Sequence, residues 1–594
     1  MILQHLLMPQ AGICTQQEMY FRLDRKVRQS ENQRALTFER RGVAWFDTYF
    51  NGFSVEKWKK YTLINEVSVT LFLKGKFEVR LFSKEKVHSQ HVEKMLSFTE
   101  VQSEEITPVT LPFCSFEEKG IYYMRLEALE KGAQYWGGYY SAEAPEGGLQ
   151  PVDIAINICT FKREAFVKRN LEILRRHILD EPQNELSEHL QIFISDNGKT
   201  LDIPALSDDK IHIVPNKNVG GAGGFTRGLI EILHCPTYRA THALFMDDDI
   251  LIEPEALYRT YMLLRCRKPE YENVFIGGAM LRLDQPNIQV EAGAVWQAGN
   301  LASRKCGVDL TTSDGCLYNE IEEKVEFHAW WYCCTPMSVV SETNLPLPIF
   351  IRGDDLEYGL RNMKQLLLLN GVCVWHEPFE NKYSSFLQYY ILRNLLYDNA
   401  LHFPNYSKWA FLKRLYGNVI REVFYYRYRN AELIFRGVDD FFKGVPFLKE
   451  TDGEKLHQEI MAAGYRAQPA EQIGFEYPVY ERSFAEQEGR LHKLTRLLTL
   501  NGQLLPAKRD NIVSMTFCRP INFYRAKRVV QYDVTSKKAF VTEKSLKESV
   551  ACIFRLLRET GKIIFGLDEA MKRFREEAPE LMREDTWRNY LQLK

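Results

Sequence analysis

Three consecutive carboxylates mark the strongest candidate site in the chain, within the segment Phe245-Met246-Asp247-Asp248-Asp249-Ile250. They follow an apolar run of strand length. Adjacent anions raise one another's pKa values, so such a cluster is costly unless a cation lies among its members. Hard divalent cations bind carboxylate oxygens, and a metal site is therefore one interpretation. The other is an acidic turn that caps the next helix, because aspartate is favoured at helix starts.

A second acidic pair, Asp354-Asp355, lies about a hundred residues downstream and is followed by Trp375-His376. If the first cluster holds a metal, one carboxylate of this pair is free to act as a general base near neutral pH. His376 is a metal-ligand candidate, because imidazole beside carboxylates suits Mn²⁺ or a similar ion. A helix cap and a buried, hydrogen-bonded histidine are the structural alternatives.

Polar and glycine-rich segments follow three other predicted strands. Asn218 to Arg227 contains four glycines and opens a predicted helix, where a ligand can approach the backbone and an anion is favoured. The segment completes neither a Walker loop nor G-x-G-x-x-G. The other two segments are Thr160-Phe161-Lys162-Arg163 and Ser195-Asp196-Asn197-Gly198. Each alone is compatible with an ordinary turn, but together with the acidic cluster they predict a site for a nucleoside diphosphate and a metal.

The paired tryptophans Trp330-Trp331 have two interpretations. Aromatic side chains dominate buried area, so the pair is compatible with core packing. Beside carboxylates, the same rings are candidates for a platform on which a sugar stacks.

Alternating strands and helices position these residues from Val152 onward. The helical stretches include Glu164 to Leu179 and Gly224 to Leu233. This order predicts parallel strands joined by crossover helices, a doubly wound α/β sheet that binds ligands beyond the carboxyl ends of its strands. The predicted strands are Ile154 to Cys159, Gln191 to Ser195, Ile211 to Val214, Ala243 to Met246 and Val274 to Ile276.

The regions on either side differ from this pattern, and three domains are predicted: 1–148, 149–400 and 401–594. Val67 to Leu73 and Phe77 to Leu81 alternate apolar and polar residues around Lys74-Gly75-Lys76, which predicts a hairpin within an N-terminal β-sandwich. The third domain is predicted to be mostly helical. Its Arg- and Tyr-rich stretch Lys413 to Arg429 either packs the helices or lies at a membrane surface.

Composition restricts the class of partner. The 594 residues include 77 Lys and Arg against 78 Asp and Glu, and 45% are hydrophobic, which predicts a globular chain without a nucleic-acid partner. The 12 cysteines form no C-x-x-C pair, which favours free thiols in a reducing compartment. Met1 to Met8 lacks the features of a signal peptide, and no apolar run is long enough to span a membrane. The prediction is a cytoplasmic protein, soluble or peripheral.

The order of the motifs resembles the inverting family 2 glycosyltransferases with a GT-A fold, and more narrowly the polymerising UDP-galactofuranosyltransferases of bacterial galactan synthesis. Many family 2 enzymes share the Asp-Asp-Asp and glycine-rich motifs. The paired tryptophans, the string Asp-Asp-x-x-Tyr-Gly and the strand-rich region ahead are the specific part. The resemblance covers most of the first 400 residues. It is carried by Thr160 to Arg163, Asn218 to Arg227, Phe245 to Ile250, Trp330-Trp331, Leu347 to Ile351, Asp354 to Arg361 and Trp375-His376, and by Thr48 to Phe53, Trp58 and Leu392 to Asn394.

The resemblance implies a role for each matching residue. The metal, Mn²⁺ or Mg²⁺, is held by Asp247, Asp249 and His376. The nucleotide sugar is contacted by Arg163, Asp196, Asn218 and Asp248. Asp355 is the catalytic base. The acceptor is contacted by Trp330, Trp331, Asp354 and Arg393.

The resemblance also implies the reaction and its setting. Galactofuranose moves from UDP-galactofuranose, with inversion, to a hydroxyl of a galactan or other surface glycan that is lipid-linked. A contact with the inner face of the plasma membrane and a homo-oligomer are expected. Two departures bear on the acceptor and the linkage: Gly353 stands where the family has a tryptophan, and Tyr390 where it has a histidine.

Three alternatives remain open at this point. A family 2 enzyme with another UDP- or dTDP-sugar donor would share every motif. A nucleotidyltransferase would share the α/β sheet and the metal, but would release pyrophosphate and have no use for the paired tryptophans. A non-catalytic glycan-binding protein would need only the sandwich and the tryptophans, and would have no reason to cluster five carboxylates.

Overall fold

The computed structural model describes residues 1–30, 34–113, 116, 119–297, 299–378, 383–474 and 488–593. The chain divides into two compact units. The first contains Met1–Lys217, Gly224–Leu345 and Tyr358–Glu377, and the second contains Asn218–Gly223, Pro346–Glu357 and Pro378–Lys594. The first unit thus includes both the strand-rich N-terminal region and most of the predicted α/β region. The three predicted domains stay a prediction.

The N-terminal part of the first unit is built from strands. They are β1 (Ile2–Leu6), β2 (Arg22–Leu23), β3 (Val27–Gln29), β4 (Leu36–Phe38), β5 (Val43–Trp45), β6 (Ser68–Val87), β7 (Gln90–Pro112), β8 (Ile121–Ala128) and β9 (Ala133–Ser141), with helix α1 (Val55–Tyr61) between β5 and β6. Among the described residues, hydrogen bonds connect all nine strands into one network. A β-sandwich consists of two sheets packed face to face. The connectivity of the strands does not show two such sheets, so the predicted β-sandwich stays a prediction.

The predicted hairpin turn at Lys74-Gly75-Lys76 is wrong, because the strand β6, which is 20 residues long, continues through it. From Val69 to Leu81 the buried apolar residues of β6 keep odd numbers on both sides of Gly75, so the chain runs on in one direction with only a β-bulge there. The turn lies instead at His88-Ser89. Strand β7 pairs along one edge of β6, and β8 and β9 share the other edge.

Four parallel strands begin the α/β part of the first unit: β10 (Ile154–Thr160), β11 (Leu190–Asp196), β12 (Ile211–Pro215) and β13 (His242–Asp247). Between them in sequence come α2 (Glu164–Leu174), a π-helical turn (Arg175–Leu179), α3 (Ile203–Leu206) and α4 (Gly220–Leu233). The predicted parallel strands and intervening helices are confirmed. Their spatial order β12-β11-β10-β13 reverses between β10 and β13, the place where open α/β sheets bind ligands beyond the carboxyl ends of their strands. The GT-A assignment stays a prediction.

The remainder of this sheet is mixed. Strand β20 (Cys333–Pro336) is antiparallel both to β13 and to β15 (Phe275–Arg282), so β13 and β15 run in the same direction. Strand β21 (Leu366–His376) is parallel to β15. The carboxyl ends of β13 and β21 therefore lie at one edge of the sheet. Further elements are β14 (Leu251–Ile252), α5 (Pro254–Arg265), β16 (Ile288–Glu291), β17 (Ala294–Gln297), β18 (Asn300–Ser303), β19 (Val308–Asp309), α6 (Ser313–Glu320) and α7 (Asp354–Asn362).

Buried polar contacts join the N-terminal strands to α5 inside the first unit. Arg259 is fully buried and donates to the backbone carbonyls of Phe50 at 2.6 Å and Asn370 at 3.2 Å. Glu255 accepts from the backbone and the ring of His5 at 2.7 and 2.8 Å. Removal of one partner would leave a buried charge uncompensated, which is strongly destabilising. The two regions are thus held together by specific contacts.

The second unit is largely helical, as predicted, but also contains a small sheet that the sequence analysis does not identify. Its helices are α8 (Leu387–His402), α9 (Lys408–Phe424), α10 (Tyr428–Phe442), α11 (Gly444–Glu450), α12 (Gly453–Ala463), α13 (Arg490–Leu498), α14 (Pro520–Phe523), α15 (Leu546–Glu577) and α16 (Glu584–Leu591). The strands β22 (Gln468–Pro469), β23 (Arg509–Ser514), β24 (Ala526–Asp533) and β25 (Lys538–Glu543) form the sheet in the order β22-β25-β24-β23.

Two predictions about the whole chain are tested by the described residues. Eleven of the cysteines are free thiols, which confirms that prediction for this part of the chain. Among the described helices, none combines the length and the apolar character needed to cross a bilayer.

Candidate active site

The end of β13 carries Asp248 into a buried network. Only 6% of Asp248 is exposed, and its carboxylate accepts from Thr160 Oγ1 at 2.7 Å and from the Arg163 guanidinium at 2.9 Å. Burial raises the pKa of Asp248, and the charge of Arg163 opposes the rise. The Asn170 side-chain amide fixes the turn by donating to the backbone carbonyls of Asp248 and Ile250, each at 3.0 Å. Helix α2 therefore positions the acidic turn.

Asp247, Asp249 and His376 converge at this edge of the sheet. One ligand atom from each lies within 4.8 Å of the others. His376 Nε2 is 3.1 Å from Asp249 Oδ1, and Arg163 is 2.6 Å from the other oxygen of Asp249. The structure thus brings together the three residues predicted to bind a metal, although His376 comes from a strand far along the chain.

The hydrogen bonding of His376 is compatible with a role as a metal ligand. Its Nδ1 lies 2.6 Å from the backbone carbonyl of Glu377, which can only accept, so Nδ1 carries a proton. Nε2 then either carries a second proton or presents a lone pair to Asp249. A lone pair that faces a carboxylate needs a cation between the two atoms, and two carboxylates with one imidazole are donors that Mn²⁺ accepts.

Asp196, at the end of β11, is occupied by the backbone of its own loop. Its carboxylate accepts from the N–H groups of Gly198 at 2.9 Å, Thr200 at 2.7 Å and Leu201 at 2.8 Å. The side chain is 1% exposed. It therefore organises the turn, the structural alternative for this motif, and its contact with a nucleotide sugar stays a prediction.

Trp330 and Trp331 are buried in the first unit. Trp330 stacks on Phe245 with ring centroids 4.4 Å apart, and Trp331 donates from its indole nitrogen to the carbonyl of Gly278 at 3.0 Å. Their exposed fractions are 5% and 6%. Most of both rings is therefore packed in the core. The predicted contact with the acceptor would involve only the small exposed part of each ring.

The second unit contains the other acidic pair, at the start of α7. Asp354 is buried, and Asp355 is half-buried with Oδ1 accepting from the N–H of Leu356 at 2.8 Å. Burial raises the pKa of Asp355 to about 6, against the opposing effects of that hydrogen bond and of the Arg352 charge. A carboxylate with this pKa is largely ionised at neutral pH and still accepts a proton readily, as a general base must.

Asp398, on α8, is a carboxyl group that the sequence analysis does not identify. It is 2% exposed, and Oδ1 has no hydrogen-bond partner in the described chain. Burial, followed by the charges of Glu357, Asp355 and Asp354, raises the pKa of Asp398 well above its ordinary value. Asp398 therefore favours its neutral form beside the acidic pair. No local motif marks this position, because it is the packing of α8 that brings it there.

The loop before α7 in the second unit is held by two residues of α8. Arg393 is 1% exposed and donates to the carbonyl of Ile349 at 2.7 Å and to the hydroxyl of Tyr389 at 3.0 Å. Asn394 donates to the carbonyls of Ile351 at 2.8 Å and Arg352 at 2.7 Å. Arg393 thus supports the loop that carries the acidic pair, and its predicted contact with the acceptor stays a prediction.

Asn218 belongs to the second unit and is half-buried. Its side-chain oxygen accepts from the N–H of Gly220 at 3.2 Å, where α4 begins. The glycine-rich segment therefore opens a helix, as predicted, and the helix starts four residues earlier than expected. The contact of Asn218 with a nucleotide sugar stays a prediction.

The structure shows the surroundings of the two departures. Gly353 has φ +100°, and a Cβ there would lie 3.0 Å from Asp398 Oδ2, so a bulky residue would be strained in this backbone. The hydroxyl of Tyr390 lies 3.1 Å from Nδ1 of His457, on α12. An imidazole thus lies next to Tyr390, supplied by a helix that the sequence analysis does not connect with the site.

Comparison with known proteins gives one family model and two relatives. The model described as Galactofuranosyltransferase 2 N-terminal matches residues 3–141. Galactofuranosyltransferase GlfT2 of Mycolicibacterium smegmatis is 26% identical over 431 residues, and that of Mycobacterium tuberculosis is 25% identical over 429. The matches cover 67% of this chain and 64% and 65% of those proteins, less than two thirds of their length.

The predicted resemblance to polymerising galactofuranosyltransferases is thereby confirmed. Among solved structures, a family 6 carbohydrate-binding module has 9% sequence identity and a TM-score of 0.14, and it covers 21% of this chain and 82% of its own. A likeness this weak carries no argument.

Proposed function

We propose that the chain is a metal-dependent, inverting glycosyltransferase of family 2 with a GT-A fold, which transfers galactofuranose from UDP-galactofuranose to a hydroxyl of a galactan or other surface glycan. The similarity to two galactofuranosyltransferases supports the reaction class. The observation that carries the proposal is the convergence of Asp247, Asp249 and His376 at the carboxyl edge of the sheet.

The first unit provides the groups for the donor. Asp247, Asp249 and His376 would hold Mn²⁺ or Mg²⁺, which when bound supplies the positive charge that stabilises a leaving diphosphate. Asp248 holds the Arg163 guanidinium at 2.9 Å, where it can also meet a phosphate oxygen. Asp196 keeps the turn after β11 in shape. In the second unit, Asn218 orders the start of α4, and the N-terminus of a helix suits an anion.

Asp355 is the base in this proposal. It removes the proton from the acceptor hydroxyl as that oxygen attacks the anomeric carbon from the face opposite UDP, and the configuration inverts. Asp398 lies beside Asp355 and stays neutral. Of these two carboxyl groups, it is therefore Asp355 that carries the negative charge when the acceptor binds. The raised pKa of Asp355 supports the assignment.

The acceptor contacts are proposed for Trp330, Trp331, Asp354 and Arg393. The tryptophan edges would shape the acceptor pocket from the core, and Arg393 would act through the loop that it supports. A lipid-linked acceptor would bring the protein to the inner face of the plasma membrane, from the cytoplasm. Homo-oligomer contacts of the second unit also belong to the proposal.

An exposed apolar face of α15 supports the membrane contact. Phe554, Leu557 and Phe565 are 69%, 55% and 89% exposed and lie on one side of the helix, beside the exposed Arg558. The stretch Lys413 to Arg429 contributes less, because Arg427 is buried and donates to Gln531 at 2.6 Å. Packing therefore accounts for the end of that stretch.

A donor panel with a synthetic galactofuranosyl acceptor tests the proposal. We expect UDP release and a product heavier by one or more hexosyl residues with UDP-galactofuranose, no transfer in excess EDTA, and recovery on adding Mn²⁺ or Mg²⁺. Asp249→Asn should abolish this recovery, whereas Asp568→Asn, at an exposed surface position, should leave it unchanged. Full transfer in EDTA, or pyrophosphate release in place of UDP, would contradict the proposal.

A further inference from the structure

A basic pocket of about 360 Å³ lies in the first unit, at the amino end of β21. Leu366 and Leu368 of that strand line it, whereas His376 is at the strand's other end. A rise of about 3.3 Å per residue over this strand places the pocket roughly 30 Å from the candidate metal site. Five basic side chains line it against two acidic ones, and they are Lys57, Lys60, Arg304, Lys305 and Lys324.

Two of these lysines are buried and converge on one carbonyl. Lys57 and Lys305 are 4% and 8% exposed, and both donate to the backbone oxygen of Asn319, at 2.9 and 2.6 Å. Lys305 also donates to the carbonyl of Ile321 at 2.6 Å. These contacts satisfy the end of α6, but two ammonium groups offer six N–H donors, and within the described chain only three are used.

The negative charge near this pair does not balance it. Glu320, at 3.7 Å from Lys57, is the nearby buried carboxylate, and it already accepts from Ser54 at 2.8 Å and Asn370 at 2.7 Å. One carboxylate thus faces two ammonium groups. Burial, and then the charge of Lys57, lowers the pKa of Lys305 to about 8, as expected for neighbouring cations without full compensation.

Arg304 adds a third cation, which has no side-chain partner among the described residues. It is half-buried, and its guanidinium makes neither a hydrogen bond nor an ion pair with any residue that the structure describes. Guanidinium groups taken partly out of water are normally paired with an acceptor, because their five donors otherwise lose hydration without replacement. An anion in the pocket would supply that acceptor.

The acidic side chains of the pocket do not supply an acceptor for Arg304. Glu322 is paired with Lys60 and accepts from the hydroxyl of Tyr61 at 2.7 Å. Glu323 is exposed at the rim. The rings of Tyr61 and Tyr271, 4.7 Å apart, give the pocket an apolar wall. The pocket is therefore lined by basic side chains and has two tyrosine rings along one wall.

We propose that this pocket binds a phosphate group, either free or carried on a sugar. The two lysines and Arg304 would together surround it, since a phosphate accepts several charge-assisted hydrogen bonds at once and is recognised well by guanidinium and ammonium donors. The volume exceeds that of a phosphate alone, and the tyrosine wall suits the body of a sugar phosphate. The site is independent of the proposed transferase reaction.

Calorimetric titration of the metal-free 594-residue chain tests this site with two probes, inorganic phosphate and a hexose 1-phosphate. We expect saturable binding of at least one probe, and tighter binding of the hexose phosphate if the tyrosine wall contributes. Arg304→Gln should weaken binding by tenfold or more. Gln365→Glu, which adds a negative charge at an exposed position on the rim, should also weaken binding without a risk to folding.

Two variants serve as controls. Lys131→Gln removes a charge from an exposed site of the same unit and should leave the affinity within twofold. Arg163→Gln removes the other candidate anion ligand and should also leave it unchanged. Absence of saturable binding for both probes, binding that survives both Arg304→Gln and Gln365→Glu, or loss in Arg163→Gln alone would overturn the proposal.

Discussion

At the scale of single residues, the two acidic clusters differ in what balances their charge. Asp248 and Asp249 have Arg163 and His376 within hydrogen-bond distance. Burial raises the pKa of Asp355 to about 6, against the hydrogen bond from Leu356 and the charge of Arg352. The first arrangement suits the binding of a cation, and the second suits the transfer of a proton.

The raised pKa of Asp355 predicts how the rate depends on pH. A base must be ionised to act, so kcat/KM should be level above about pH 7 and fall about tenfold per unit below pH 6. UDP release measured from pH 4.5 to pH 8 checks this prediction, and Asp568→Asn should give the same profile as the wild type. A level profile down to pH 5 would argue against Asp355 as the base.

Asp398 makes a separate prediction for stability. An aspartate in the unfolded chain ionises near pH 4, whereas burial and three neighbouring carboxylates keep Asp398 neutral in the folded chain. Folding is therefore opposed increasingly as the pH rises above about 4, by about 1.4 kcal/mol per unit until the pKa of the folded state is reached. Asparagine does not ionise, so Asp398→Asn should raise the melting temperature at pH 8.

Thermal melts at pH 4, 6 and 8 measure this effect. The gain should be small at pH 4, where the aspartate is protonated in the folded chain and only about half ionised in the unfolded chain. A loss of stability of equal size at all three pH values would show instead that the substituted amide lacks a contact that the acid makes.

The sequence predicts the candidate residues at strand ends better than those that reach the site by packing. Asp247, Asp249 and His376 each follow an apolar run, and parallel strands bring such positions to one edge. Asp398 and His457 lie within helices where no spacing distinguishes them from ordinary polar residues. Trp330 is ambiguous because a ring beside a site can equally belong to the core.

At the scale of elements, the N-terminal strands show what the alternation of apolar and polar residues does and does not determine about strand length and pairing. The odd-numbered burial of β6 continues across Gly75, and this unchanged phase is the signal of one long strand. Glycine between lysines is also a common turn signal. The pairing of β6 with β7 shows that the segment is one long strand and not a hairpin. Pairing over 20 residues is not a local property of the sequence.

The start of α4 gives an element-scale prediction. Gly220 has φ +77°, and a Cβ there would lie 2.0 Å from the carbonyl oxygen of Phe350. Gly220→Ala should therefore destabilise the protein by about 1–3 kcal/mol, from the left-handed backbone and the steric conflict. Gly221→Ala is the matched control, because its nearest neighbour would be Asp354 Oδ2 at an ordinary 3.5 Å.

Denaturant unfolding of the two variants tests this comparison. Gly221→Ala should lie within about 0.5 kcal/mol of the wild type or above it, since alanine favours a helix. Equal stabilities for the two variants would show that the backbone at Gly220 relaxes without cost.

At the scale of the whole molecule, the exposed face of α15 predicts binding to membranes. Sedimentation with vesicles that contain anionic lipid should remove the wild-type protein from solution. Phe554→Ser with Phe565→Ser should lower the bound fraction several-fold, because both rings are mostly exposed. Phe98→Ser, on the exposed strand β7, is the control and should change nothing. Wild-type protein that stays in the supernatant would contradict the membrane contact.

The division of the chain into two units is less visible in the sequence than its motifs. The predicted boundary after residue 148 separates the N-terminal strands from the α/β region, yet Arg259 and Glu255 hold those strands to α5 in one unit. The small sheet of the second unit is also missed, because its strands are short and scattered among helices. Both features depend on contacts between distant residues.

The most direct test of the account compares turnover with donor binding in Asp355→Asn. Because a general base acts only in the transition state, kcat should fall by about 10²–10⁴ while the affinity for UDP stays within a few-fold of the wild type. Turnover near the wild-type rate, or loss of UDP binding in proportion to the loss of rate, would contradict the role of this carboxylate.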